Sequence, residues 1–378
     1  MKNMYWHQKF LPRYVIIGFC VFMLLSLFVV EHFLSDKQQP YFQQKLDASS
    51  LTFKAFMDIR AARESLGVEI NRKLDPTGMG LIGYKSSAIT TDPGTLYAKR
   101  TSVNPNLAAL FVQWYGDVGL QKGDTVAVAM TGSFPAADMA AVAAAQTLGL
   151  KPLIILSAGA SNYGANIPKL SIVDMYRILV KDKVFDVAPI GVSLGGSRDK
   201  AYGVTPEGIG ILDEAIKKSG YHFLKVTGTN DSIKRRLALY KKEAKGDPIK
   251  AYINVGGGMA SIGLKKLKGS MSQIPPQSLP SGITKSLPVF LTGVNSVAVN
   301  FLKEGIPVIN MRDITDTLAK QYSFPYKPSV LPLVGTGSMY ISPEYNTALA
   351  AGILILDLTV LIALAWLSRK YLITYKRK

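Results

Sequence analysis

Cysteine is all but missing from this chain of 378 residues: Cys20 is the only one, and histidine occurs three times. Cys20 falls inside an apolar run, so everything after it folds without a disulfide and holds together by packing. Thiol chemistry and cysteine-based zinc sites are thereby excluded downstream. Beyond His32 the sole histidine is His222, and no close group of carboxylates stands in for the missing ligands. No metal or other cofactor is therefore expected. Asp213-Glu214 reads as an exposed helical pair. Asp138 and Asp174 lie near helix starts, where a carboxylate is favourable in its own right.

Acidic residues are absent from Pro248 to Lys303, a stretch that holds six lysines: Lys250, Lys265, Lys266, Lys268, Lys285 and Lys303. Just upstream, Lys234-Arg235-Arg236 and Lys241-Lys242 lie on an expected helix. Residues 35–346 carry +12 of the chain's net +18. A domain this basic attracts polyanions or anionic lipid head groups; a solvated surface with a solubility bias has the same composition. The expected polyanion face is Lys234, Arg235, Arg236, Lys265, Lys266 and Lys268.

Charge is also absent from Tyr14–Val30, and Ala348–Leu367 has a single charged residue, Asp357. As helices these runs reach roughly 26 and 30 Å, enough to cross a bilayer. Lys2, Lys9 and Arg13 flank the first; Arg369, Lys370, Lys376, Arg377 and Lys378 follow the second. Basic flanks stay in the cytoplasm, so both termini are expected inside and the long middle outside. A cleaved signal peptide would need small residues after the first run, where Glu31-His32-Phe33 stands instead, so a signal-anchor is expected. Nucleic acid is a poor partner for that topology. The expected layout is a cytoplasmic start (1–13), a membrane helix (14–34), a helical and irregular entry region of the outer domain (35–122), its α/β part (123–346), a second membrane helix (348–367) and a basic cytoplasmic tail (368–378).

Within the middle, residues 41–70 read as a helix with Phe53, Phe56 and Met57 on one side, broken by Arg60 and Arg63. Asn71–Gly94 is rich in turn residues and reads as irregular. Asn104-Pro105 reads as the start of a helix running to Gly116 or Gly119. From Gly123 strands and helices alternate: strands at 125–130, 152–156, 223–226, 251–255, 287–291 and 307–310, and helices at 136–148, 172–181, 206–219, 231–244, 294–304 and 313–322. A Lys/Pro-rich insertion (265–285) interrupts the series. This alternation predicts an α/β fold with a doubly wound, mostly parallel, Rossmann-like sheet.

In such a sheet the loops after the strands share one edge, where ligands bind. Here they carry Thr131, Gly132 and Ser133; Ser157, Gly159, Ser161 and Asn166; Ser193, Gly195 and Gly196; Asn254, Gly256, Gly257 and Gly258. Small residues admit close approach to backbone N–H groups, and adjacent helix starts favour anions. Three familiar motifs fail. Gly256-Gly257-Gly258-Met259-Ala260 starts like a dinucleotide fingerprint, but Ser261 takes the third glycine position and no acid follows until Glu304. No P-loop occurs. Gly191-Val192-Ser193-Leu194-Gly195 matches a nucleophile elbow, yet a loop rather than a helix is expected after it, and His222 follows only 29 residues on. Ser133, Ser157, Ser193 and His222 remain as catalytic candidates, with no catalytic residue assigned.

Asp357, close to mid-membrane, needs a partner or a proton. The first membrane helix has no basic residue at that depth, so a helix of another subunit is the expected contact.

The loop sequences VAMTGSFPA (128–136), SAGASNYGAN (157–166), SLGGSRD (193–199), TPEG (205–208) and YINVGGGMASIG (252–263) occur in that order. Together they resemble the bacterial poly-gamma-glutamate system protein family, membrane-anchored proteins associated with poly-γ-glutamate capsule production. The resemblance is densest over residues 120–310. It implies a place in the bacterial cytoplasmic membrane beside the synthase and export machinery, with membrane proteins of that complex as partners. It supplies no reaction and no catalytic residues. The expected function is accessory: an outer domain binds poly-γ-glutamate, or its γ-glutamyl end, through the Gly/Ser-rich loops. The alternatives are a γ-glutamyl amide hydrolase or transferase using a loop serine, and a membrane scaffold for the synthase complex.

Overall fold

The computed structural model describes residues 12–263 and 278–374, with side chains as far as Ser368. Lys265, Lys266, Lys268 and most of the expected insertion lie outside the described residues. The chain forms two compact units, one of residues 39–340 and a smaller one from its two ends, up to Gln38 and from Ile341 onward. Residues 39–122 belong to the same unit as the strands.

A six-stranded sheet centres the larger unit. Its strands are β1 (Thr125–Thr131), β2 (Lys151–Ser157), β3 (Gly191–Ser193), β4 (Ile249–Val255), β5 (Gly282–Thr284) and β6 (Val308–Met311). The spatial order is β3-β2-β1-β4-β6-β5. All neighbours are parallel except β5, which runs antiparallel along β6. The fold is therefore mixed α/β with a mostly parallel sheet.

Every residue of β1 is buried, because both faces of the sheet are covered. Val126, Val128 and Met130 enter one core, with helices Phe42–Ser65, Leu107–Asp117 and Pro135–Thr147. Ala127 and Ala129 enter the other, with Tyr240, Tyr252 and Phe301. The small alanines leave room for those rings, and Tyr240 Oη donates to Val128 O at 2.8 Å. Helix Pro135–Thr147 is alanine-rich because it is packed on more than one side, against the sheet and against the two helices beyond it.

Helix Phe42–Ser65 turns Lys45, Thr52, Phe56, Ile59 and Arg63 inward, whereas Phe53 and Met57 are exposed, contrary to the sequence reading. Arg63 is no break. Its guanidinium donates to Gly80 O (2.9 Å), Ile82 O (2.7 Å) and Glu69 O (2.8 Å), holding the irregular segment in place of regular structure. The helix expected from Asn104 starts at Leu107, because Asn104 Oδ1 first takes the Asn106 N–H. Phe223 makes only an isolated bridge to Val192. Val289–Leu291 is a 3-10 turn introduced by Pro288, so the expected strand at 287–291 is absent and β5 is the edge strand. Thr315–Gln321 winds as a π-helical turn.

In the smaller unit, helices Arg13–His32 and Thr347–Thr374 each hold a stretch long and apolar enough to cross a membrane. They are continued by an antiparallel ribbon of Leu34–Gln38 with Ile341–Tyr345. Ser26 Oγ donates to Asp357 Oδ1 at 2.9 Å. Asp357 thus has a hydrogen-bond partner within the chain.

Candidate functional site

The strand order reverses between β1 and β4: β2 and β3 lie to one side, β6 and β5 to the other. The loops leaving the carboxyl ends of β1 and β4 diverge there, and a crevice of about 390 Å3 opens. Thr131 and Ser133 from β1, Ser157 from β2, Gly257 and Gly258 from β4 and Arg312 from β6 line it. The segment from Thr91 to Lys99 forms a further wall, fixed where Thr90–Asp92 pairs with Ala160–Ser161.

The glycines of these loops divide into two sets. A Cβ at Gly256 would strike Thr131 Oγ1, and one at Gly159 would strike the Thr91 methyl. At Gly195 it would lie 2.9 Å from Ser157 Cβ, at Gly196 2.8 Å from Thr91 Cβ, and at Gly132 3.1 Å from Ala160 Cβ. These glycines let the protein pack on itself. Gly257 is different: a Cβ there approaches only Arg312 Nε, at 4.0 Å. Gly257 is thus the loop glycine with open space in front of it.

Arg236 is not on the polyanion face. It sits one turn beyond Ile233 and one before Tyr240 on the inward side of helix Thr229–Glu243, and is 1% exposed. Its Nη2 reaches Asp199 Oδ2 (3.0 Å), Ser193 Oγ (2.7 Å) and Ser157 Oγ (3.1 Å), and its Nε reaches Ser232 Oγ (3.1 Å). Ser193 Oγ in turn donates to Asp199 Oδ1 at 2.7 Å. This network ties the ends of β2 and β3 to the helix and keeps a buried charge pair satisfied. Arg236 and Asp199 both line the crevice, and Arg236 Nη1 has no hydrogen-bond partner among the described residues. Lys234 and Arg235 do face solvent, the latter paired with Asp231 at 3.0 Å.

Lys99 and Asp138 form a second buried set. Lys99 Nζ is 2.8 Å from Ser161 Oγ and 3.6 Å from the centroid of the Phe134 ring. Burial pushes this amine down to about 7, with Asp138 nearby opposing the shift. Asp138 is 1% exposed, and neither of its oxygens has a hydrogen-bond partner among the described residues. Burial holds its carboxyl well above the usual carboxylate range, with Lys99 opposing.

The remaining expected site residues are brought together only in part. Asn166 anchors a neighbouring loop, accepting from Tyr84 N at 2.8 Å and donating to Thr90 Oγ1 at 2.8 Å. Asn254 donates to Gly256 O and to Asn310 Oδ1, both at 2.8 Å, joining the ends of β4 and β6. A Ser193–His222 pair is not formed: Ser193 is fully buried between Asp199 and Arg236, and His222 is exposed. Its carbonyl, not its ring, meets β3, accepting from Val192 N at 2.8 Å. No family model, curated protein or solved structure matches this chain. Among the described residues no three His, Cys, Asp or Glu side chains are grouped to hold a metal.

Proposed function

We propose that this chain is an accessory membrane protein of poly-γ-glutamate production that binds the anionic polymer, or its γ-glutamyl end, in the crevice. On this reading the large unit is a Rossmann-like domain outside a bacterial cytoplasmic membrane, with both termini inside. The two apolar helices and their basic flanks support that placement. One observation carries the binding reading. Arg312 reaches the crevice with no ion-pair partner among the described residues, beside a buried Arg236 that still has an unpaired Nη1. Two guanidiniums with donors to spare, next to the hydroxyls of Thr131 and Ser133, suit the carboxylates of a γ-linked glutamate chain.

Titration of the full-length protein in detergent with γ-glutamyl oligomers tests this, with α-glutamyl oligomers for comparison. The γ-linked series should bind more tightly, and Arg312→Gln should weaken it about tenfold, the worth of roughly one charge-assisted hydrogen bond. Equal affinity for both linkages, or no effect of Arg312→Gln, would overturn the reading.

A further inference from the structure

Ser161 sits at the end of a two-residue strand, Ala160–Ser161, that pairs in parallel with Thr90–Asp92. Its N–H donates to Ser133 Oγ at 3.2 Å, so its backbone is held from both sides. Its Oγ is 2.8 Å from Lys99 Nζ, and both side chains line the crevice. Among the described residues, that hydroxyl is the amine's only hydrogen-bond partner. One partner leaves a protonated ammonium with donors unpaired, but it suits a neutral amine, whose lone pair accepts from a serine hydroxyl. Lys99 is 2% exposed, and its burial brings its proton affinity close to neutrality. Gly94 lies over the pair: a Cβ there would stand 2.9 Å from Ser161 Oγ, so a side chain at this position would crowd the hydroxyl. Ser133 and Phe134, also in the lining, lead straight into helix Pro135–Thr147. The first N–H groups of that helix lack intrahelical acceptors and favour negative charge developing beside them.

We propose that Ser161 and Lys99 form a nucleophile–base pair for acyl transfer at an amide carbonyl bound in this crevice. Neutral Lys99 takes the proton of Ser161 Oγ as the oxygen attacks the carbonyl carbon. The C–N bond breaks, the departing amine receives that proton from Lys99, and the acyl group remains as an ester on Ser161. Water, or the amine of a second chain, then attacks the ester, passes its proton through Lys99 to Ser161 Oγ, and carries the acyl group away. The pair rests on its own geometry; its substrate class, a γ-glutamyl amide, rests on the binding reading above. None of the serines weighed from the sequence as nucleophiles has a neutral amine as base: Ser157 faces Arg236, Ser193 is fully buried and donates to an Asp199 already paired with Arg236, and Ser133 accepts a backbone N–H.

The test is covalent labelling of the full-length wild-type protein with a serine-reactive fluorophosphonate, followed by peptide mapping. The label should fall on Ser161, and its rate should rise between pH 6 and 8 as Lys99 loses its proton. The titratable group acting on Lys99 is Asp138 on helix Pro135–Thr147, with Tyr176 beyond it, and Asp92, Asp199, Arg236 and Arg312 share the crevice lining with the amine. Lys99→Met should slow labelling roughly 100-fold, in the usual range for loss of a general base. Mapping of the wild type needs no variant to fold. Absence of label, label on another serine, or a pH-independent rate would overturn the pair. Protein that binds γ-glutamyl oligomers but is not labelled at Ser161 refutes the pair and leaves the binding reading intact. Label at Ser161 without oligomer binding refutes the substrate class and leaves the pair.

Discussion

Arg236 Nη2 lies 3.0 Å from Asp199 Oδ2, and both side chains are buried at the floor of the crevice they line. Removing one partner leaves the other as a buried unpaired charge. Arg236→Met should therefore destabilise the protein by about 3–5 kcal/mol, whereas Arg236→Met combined with Asp199→Leu should recover most of that loss. Chemical denaturation of the three proteins decides it; equal losses for the single and double variants would show that the pair is not the source.

The two sets of glycines make opposite predictions. Gly256 has φ +100° and its Cβ position is filled by Thr131, so Gly256→Ala should cost at least about 2 kcal/mol in strain and overlap. Gly257→Val should melt like the wild type yet lose about tenfold or more in oligomer affinity at any salt concentration. Normal binding by a well-folded Gly257→Val protein would mean that the ligand does not approach this loop.

Lys99 makes stability depend on pH. The folded amine titrates near 7 and the unfolded one near 10.5, so between these values the unfolded chain binds more protons and stability rises with pH. Asp138 contributes the opposite slope, from 3.8 upward, and loss of Lys99 removes the charge that opposes its rise. Lys99→Met should therefore be more stable than the wild type at pH 6, with the advantage shrinking as pH climbs toward 10. Melting curves at four or five pH values would show it. A variant that is less stable at pH 6 would mean that the contacts of the amine outweigh its burial.

Asp357 already has Ser26 as a partner. Asp357→Leu should leave co-purification with other membrane proteins unchanged, because Ser26 already engages the carboxyl within the chain. Ser26→Ala should weaken the contact between the two helices by only about 0.6 kcal/mol, the mean for such bonds in membranes. Loss of partners from Asp357→Leu in pull-downs would restore an intermolecular role.

Local patterns carried the regular elements. Helix Ile172–Lys181 has a capping box at Ser171 and Asp174, and helix Pro206–Ser219 opens at a Thr205 cap and closes at Gly220 with φ 72°; such ends are written in the sequence. Arg236 was misplaced because four other basic residues surround it on its helix. Its spacing from Ile233 and Tyr240 would have put it on the buried side. Lys99 and Gly94 had no such signal. They reach the crevice through the pairing of Thr90–Asp92 with Ala160–Ser161, a contact across about 70 residues that no local period encodes. Strand β5 was missed because three residues, Gly282-Ile283-Thr284, are too short to show alternation.

The larger unit begins and ends at a single hydrogen bond, from Gln39 N to Tyr340 O at 2.8 Å. Tyr340 Oη goes on to Ser49 and Asn106, so the closing residue is fastened into the interior. A domain whose first and last residues already touch is a self-contained insert. It can be cut out between Gln38 and Ile341 and joined head to tail by a short linker. New termini placed at the exposed turn after Gly246 would then give a circular permutant that still folds.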